Sequence, residues 1–276
     1  MIPAPFEYVR ASSADDAIRL LTEGGEEAKL LAGGHSLLPL MKLRMATPPL
    51  LVDIGGIREL SYVHDAGDHL AIGALTRHAH LSRNDLARAE APLLAHVAGQ
   101  VGDPQVRHRG TIGGSIAHGD PASDLPAACL ALGASFVAAG PRGERTIAAD
   151  LFFRGFLETA LAPDEVLVEI RVPKVAGAGW SFQKFNRRAQ DWAIVGVAAL
   201  SNGTTRIGLV NMGSTPLRAL GAEEALAQGA SPAEAAARTA EGLEPPADVN
   251  ASPEYRRHLA AVLVQRALEE AASARA

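Results

Sequence analysis

Two segments of this chain each join a pair of glycines to a serine. They are Ala32-Gly33-Gly34-His35-Ser36 and Thr111-Ile112-Gly113-Gly114-Ser115. Glycine pairs keep Cβ atoms out of the way, so backbone N–H groups can converge on an anion. The first pair follows a short apolar run, residues 28–32, and leads into a helix-like stretch, residues 37–43. A strand-to-helix turn of this kind adds the favourable end of the helix dipole for a phosphate. The Ser36 and Ser115 hydroxyls each bring one more donor. Together the two loops predict a pyrophosphate gripped from both sides. The common phosphate motifs are missing: there is no G-x-G-x-x-G after the first strand and no G-x-x-x-x-G-K-[ST].

The pattern around these loops is α+β. Ser12-Ser13 offers a helix N-cap, Asp15 and Asp16 suit a first turn, and Gly24-Gly25 ends the helix. Residues 28–32 and 50–54 read as buried strands with a helix between them, a parallel βαβ lobe. Residues 69–74, 135–139 and 166–172 read as strands, 76–81 and 92–99 as helices, and the glycine-rich stretch 107–124 as a loop. This is a mixed lobe with antiparallel sheet. Pro173, Gly177 and Gly179 mark a boundary. Beyond it, residues 180–185, 193–201 and 205–211 form an antiparallel meander. Ser231-Pro232-Ala233-Glu234 is a capping box with proline at the first helical position, and Ser252-Pro253 opens a last helix. The expected domains are 1–177, split into two lobes near residue 57, and 178–276.

Composition removes several function classes. At 276 residues the chain can bury a large core without staples. Lys plus Arg is 26 against 31 Asp plus Glu, a net charge of −5 with no long basic run. Nucleic acid is therefore not an expected partner. No apolar run approaches the roughly 18 residues of a membrane helix. The N-terminus has no signal-peptide pattern, so the expected compartment is the cytoplasm. The one cysteine, Cys129, sits in an apolar stretch and reads as a core residue. One cysteine cannot hold a four-cysteine zinc or iron–sulfur site. His78-x-His80 opens a helix, where positions i and i+2 diverge, so it is a poor metal pair.

The segments Lys29-Leu30-Leu31-Ala32-Gly33-Gly34-His35-Ser36 and Thr111-Ile112-Gly113-Gly114-Ser115, followed by His118-Gly119-Asp120-Pro121-Ala122-Ser123-Asp124, resemble the FAD-binding medium subunits of molybdenum hydroxylases. The resemblance is strongest to the carbon monoxide dehydrogenase group and covers nearly the whole chain. It implies that Lys29, Leu31, residues 32–36 and residues 111–115 hold FAD. Asp120 and Asp124 would face the cofactor, with Asp124 on a ribityl or ribose hydroxyl. Leu167 would lie near the adenine or the isoalloxazine edge. Lys184 would sit close to the flavin as a cation. Trp192, in Gln190-Asp191-Trp192-Ala193, stands where relatives carry a tyrosine beside the isoalloxazine, and Ser115 stands where many carry asparagine.

The resemblance further implies a heterotrimer, itself able to dimerise, with a molybdenum-cofactor large subunit and a [2Fe–2S] small subunit. Electrons would pass from the cluster to FAD and on to an external acceptor, quinone or NAD. No residue of this chain would act as an acid–base catalyst. Any contact with the inner face of the membrane would be made through the complex. The flavin subunit of a purine, N-heterocycle or aryl-thioester hydroxylase fits the same residues. So, on different grounds, does a serine hydrolase built on Gly113-Gly114-Ser115, with Asp120 or Asp124 and a histidine, or a scaffold subunit without flavin.

Overall fold

The computed structural model describes residues 2–273. Its N-terminal layer comprises β1 (Glu7–Arg10), α1 (Ala14–Gly24), β2 (Lys29–Leu31), α2 (Leu37–Lys42) and β3 (Leu50–Asp53). The strands form a parallel sheet in the order β1-β3-β2. Local chemistry sets the limits of α1. The Ser13 hydroxyl accepts from the Asp16 amide at 3.1 Å, and Gly25, at φ 75°, donates back to the Leu21 carbonyl. Ala17 and Leu21 face inward from this helix.

The middle layer runs through β4 (Val63–Asp65), β5 (His69–Gly73), α3 (His78–Leu81), α4 (Asp85–Glu90), α5 (Pro92–Gln100), α6 (Pro104–Arg109), α7 (Ile112–His118), α8 (Asp124–Leu132), β6 (Ser135–Gly140), β7 (Gly143–Ala148), β8 (Phe153–Gly155), β9 (Glu158–Thr159) and β10 (Val166–Pro173). An antiparallel sheet in the order β4-β5-β10-β6-β7 carries these helices. Last come β11 (Gly179–Phe185), β12 (Val195–Asn202), β13 (Thr204–Val210), β14 (Leu217–Arg218), α9 (Leu220–Ala227), α10 (Pro232–Ala237) and α11 (Pro253–Ser273). The four strands form an antiparallel meander in sequence order. Ser231 and Glu234 make the reciprocal capping box at the start of α10.

The sequence reading of residues 107–124 as a loop is wrong. The stretch holds the end of α6, all of α7 and the start of α8. Asp103 caps α6 by accepting from the Val106 amide at 2.8 Å, with Pro104 behind it. Thr111 caps α7 by accepting from the Gly114 amide at 3.1 Å, and Gly119, at φ 66°, ends it. Glycine disfavours a helix in isolation, but caps and tertiary contacts outweigh its propensity cost of about 1 kcal/mol.

Every residue of α8 is buried. A helix that is apolar all round must be covered on all sides, and α8 is covered by α5 and α7 on one side and by the meander on the other. Cys129 lies in its middle, fully buried, and burial pushes its thiol up to about 12. The meander approaches so closely that a Cβ on Gly208 would overlap the Ala127 carbonyl. We expect Gly208→Ala to cost about 1–3 kcal/mol, the usual penalty of overpacking. Urea unfolding should show it as a lower midpoint at unchanged slope.

Candidate functional site

The three layers enclose a cavity of about 660 Å³. One wall is residues 29–36, from β2 into the start of α2. Facing it are Gly110, Thr111, Gly113, Gly114 and Ser115 at the start of α7, with Ser123 and Asp124 at the start of α8. The β9 segment and residues 161–163, 165 and 167 close one end, and Lys184, Gln190, Asp191 and Trp192 close the other.

Both glycine pairs are close-approach positions. A Cβ on Gly33 would stand 2.5 Å from the Arg109 carbonyl oxygen and 2.9 Å from the Gly110 Cα. On Gly113 it would stand 2.5 Å from the Ala74 Cβ and 2.6 Å from the Ala74 carbonyl oxygen. The first loop is therefore seated on the chain just before α7, and α7 is seated on β5's exit. The Arg77 side chain donates to the same Arg109 carbonyl that faces Gly33, which holds that carbonyl in place.

The loops differ in what they can offer an anion. The amides of Gly33, Gly34, His35 and Ser36 donate to no acceptor among the described residues. The Ser36 hydroxyl makes no capping bond to α2. At the second loop the amides of residues 112–115 are already engaged. Ile112 donates to the Thr76 carbonyl at 3.0 Å, Gly113 to the Ala74 carbonyl at 2.8 Å, and Ser115 to the Thr111 carbonyl at 3.0 Å. The Gly114 amide donates to the Thr111 hydroxyl at 3.1 Å. The first loop thus presents a row of unpaired N–H donors. The second presents bare Cα surface and the Ser115 and Thr111 hydroxyls. The two-sided N–H grip expected from the glycines is one-sided in the structure.

Two predicted residues lie elsewhere. Ile112 is fully buried in the middle-layer core, because its phase on α7 turns it away from the cavity. Asp120 builds the turn before α8: its carboxylate accepts from the Ala122 amide at 2.8 Å, and its carbonyl accepts from Ser123 at 3.0 Å. Its work is to place Ser123 and Asp124. Lys29, Leu31, Ala32, Gly33, Gly34, His35, Ser36, Thr111, Gly113, Gly114, Ser115, Asp124, Leu167, Lys184 and Trp192 all line the cavity.

Asp124 and Lys184 come together from α8 and β11, with Oδ2 and Nζ 2.6 Å apart. The ammonium also donates to the Gln100 carbonyl at 3.2 Å. Both side chains are largely buried, and the second carboxylate oxygen, Oδ1, has no partner. Burial raises the Asp124 carboxyl above its usual range, and Lys184 offsets this only in part. Trp192 stands at the mouth with 60% of its surface exposed. No hydrogen bond joins Ser115 to a histidine among the described residues, so the hydrolase arrangement is not formed.

Several lining residues carried no sequence signal. Residues 161–165 are pinned by Arg145, whose guanidinium donates to both Glu165 oxygens at 2.7 Å and to the Ala160 carbonyl at 2.6 Å. That pairing holds the Glu165 carboxyl below its ordinary range. His78 also lines the cavity, is buried, and has no partner for Nδ1. His80 points to solvent, and among the described residues no group of three His, Cys, Asp or Glu could hold a metal ion.

Burial, with His35, Arg77 and Arg107 nearby, lowers the His78 imidazole from 6.5 to about 4. The folded state therefore keeps this ring neutral, while the unfolded chain takes up a proton below pH 6.5. His78 contributes stability above that pH and loses it as pH falls toward 4, by roughly 3 kcal/mol in all. We expect His78→Leu to flatten the fall in unfolding free energy between pH 6.5 and 4. Equal slopes in both proteins would remove this assignment.

Comparison with known proteins fits this geometry. Residues 4–175 match the family model described as FAD binding domain in molybdopterin dehydrogenase. Residues 180–271 match the CO dehydrogenase flavoprotein C-terminal domain. The chain is 45% identical to the carbon monoxide dehydrogenase medium chain of Hydrogenophaga pseudoflava, over 98% of each chain. It is 38% identical to the 6-hydroxypseudooxynicotine dehydrogenase complex subunit alpha of Paenarthrobacter nicotinovorans, over 98% of this chain and 96% of that one. A solved structure of carbon monoxide dehydrogenase from Hydrogenophaga pseudoflava, lacking the Mo-pyranopterin moiety, superposes with a TM-score of 0.95 at 46% identity over the whole of both chains. On the sequence match, the fold and the glycine-walled cavity together, the chain belongs to the FAD-binding flavoprotein subunits of the molybdopterin dehydrogenases.

Proposed function

We propose that this chain is the electron-transfer subunit of a carbon monoxide dehydrogenase-like molybdenum hydroxylase. It works beside a molybdenum-cofactor large subunit and a [2Fe–2S] small subunit in the cytoplasm, and passes electrons to an external acceptor. In this reading residues 1–177 bind FAD and residues 178–276 close over it. The single observation that carries the reading is the distribution of donors in the cavity. Unpaired amides of residues 33–36 suit a pyrophosphate, and the buried, partnerless Asp124 Oδ1 suits a hydroxyl. Among the described residues no helix is long and apolar enough to cross a membrane.

FAD fits these residues. Residues 33–36 and the Ser115 hydroxyl would hold the phosphates, Asp124 a hydroxyl of the linking chain, and Leu167 an apolar ring edge. Lys184 and Trp192 would flank the isoalloxazine. Bound FAD supplies what no side chain here provides: it takes electrons from a one-electron donor and releases them as a pair. The chain's own part is to orient the ring, exclude water and set its electrostatics. Lys184, paired with Asp124, would offer the ring an N–H donor rather than an uncompensated charge. Cys129, the one cysteine, is enclosed in α8 and can ligate no cluster, so the iron–sulfur and molybdenum centres would be held by the partners.

The test is the flavin itself. Heat-released cofactor from the purified complex should be FAD, close to one per chain, and not FMN. Anaerobic carbon monoxide should then bleach the flavin absorbance. Bleaching by an N-heterocycle but not by carbon monoxide would move the assignment to another hydroxylase of the family. Absence of FAD would end the reading altogether.

A further inference from the structure

The cavity's Trp192 end is built from a segment with no regular structure, between β11 and β12. Its carbonyls are held by one side chain of its own and two from outside. Asn186 donates to the Asp191 carbonyl at 3.4 Å, and the buried Arg256 of α11 donates to the Ile194 carbonyl. The Ala193 carbonyl, next to Trp192, accepts from the Asn211 side-chain amide at 3.0 Å. Asn211 follows β13 and is one of three non-glycine residues with positive φ among the described residues, at 62°. Asparagine is among the few residues that adopt this conformation readily.

Asn211 has a second contact. Its backbone amide donates to the Pro121 carbonyl at 2.7 Å. Pro121 belongs to the turn that Asp120 organises and that places Asp124. One residue, which does not line the cavity, is therefore bonded to both walls of its mouth. Its backbone holds the Asp124 wall and its side chain holds the Trp192 segment. Ala127, Ala193 and Val210 form a small buried apolar cluster beside it.

We propose that Asn211 is a positioning residue: by spanning the Pro121 and Ala193 carbonyls it sets the distance between Asp124 and Trp192, and so the seat of the bound ring system. The inference rests on the reading that the isoalloxazine occupies the Lys184–Trp192 end. A hydrogen bond of this kind is local, and its loss would free the Trp192 segment without removing any atom that touches the ligand.

The test uses the flavin-depleted complex of the full chain with its partner subunits, titrated with FAD, and the midpoint potential of the reloaded flavin. Asn211→Gly keeps the positive φ and the Pro121 bond and deletes only the side-chain donor. It should weaken FAD binding about 2- to 10-fold, the worth of one hydrogen bond, and shift the potential. Asn211→Asp keeps the size and backbone conformation but turns a carboxylate on the Ala193 carbonyl, and should shift both readouts in the same sense. Trp192→Phe should also change both. In the Trp192→Phe background, Asn211→Gly should add little, because its effect is transmitted through that segment. Full additivity, or wild-type values for both Asn211 variants, overturns the inference alone. Wild-type values for Trp192→Phe overturn the isoalloxazine reading, and the inference with it.

Discussion

Gly33→Ala is expected to weaken FAD binding by roughly 5- to 150-fold while the chain remains folded. The added methyl would stand 2.5 Å from the Arg109 carbonyl oxygen and 3.0 Å from its carbon. Both are backbone atoms, so no side-chain rotation relieves the overlap. The carbonyl is held in addition by Arg77, whose own guanidinium is partly desolvated and lies near Arg109. The first loop must then move off the second. Overpacking of this kind costs about 1–3 kcal/mol, and 1.4 kcal/mol is tenfold in affinity. Here the cost falls on the loop whose four amides are unpaired, so binding suffers more than folding. Gly114→Asp should abolish binding by another route, placing a carboxylate in the wall proposed to face the phosphates. FAD content per chain, set beside the far-ultraviolet dichroism, checks both variants. Full flavin content in Gly33→Ala would show that the loops need not touch.

The second large effect concerns the buried pair of Asp124 and Lys184. Lys184→Met leaves Asp124 enclosed without its cation, a change that costs about 3–5 kcal/mol when the carboxylate stays charged. The cost depends on pH, and its sign follows from the raised carboxyl. A carboxyl that titrates higher in the folded state holds its proton there while the unfolded chain has released its own. Folding is then most favoured below the unfolded value of 3.8, and stability declines as pH rises through the folded value. Removing Lys184 takes away the one partner that lowers the folded value, so the window of decline extends upward. The deficit of Lys184→Met against wild type should therefore grow from acid toward neutral pH and then level. Urea unfolding of the flavin-free chain across that range is the measurement. Adding Asp124→Asn should recover most of the deficit at neutral pH, since a neutral amide has far less to lose by burial. A deficit that is constant with pH would mean that Lys184 acts through packing alone.

Much of the local structure was legible in the chain. Ser13 and Ser231 announced helix starts, Gly25 lies where a helix ends, and strands β10 to β13 follow their apolar patterning. These are decided within a few residues, by capping and periodicity. The start of α7 was not legible. Its glycines point to a loop, and the Thr111 cap together with the bonds from Ile112 to Thr76 and from Gly113 to Ala74 holds it as a helix on β5's exit.

The site divides along the same line. The sequence alone determined the glycine-rich part of the cavity wall. Glycine pairs next to hydroxyls are a local requirement for close approach, and the chain displays them openly. It also determined that Cys129 is a core residue, since its neighbours are apolar in both directions. Only the tertiary structure decided which side chains of those segments face the cavity. Ile112 turns into the core by its phase on α7, and Asp120 is consumed in a turn. Only the tertiary structure brought Asp124 to Lys184, and Asn211 to both Pro121 and Ala193, because these pairs join elements far apart in the chain. Such contacts depend on how α8 is clasped between two sheets, and no window of sequence carries that information.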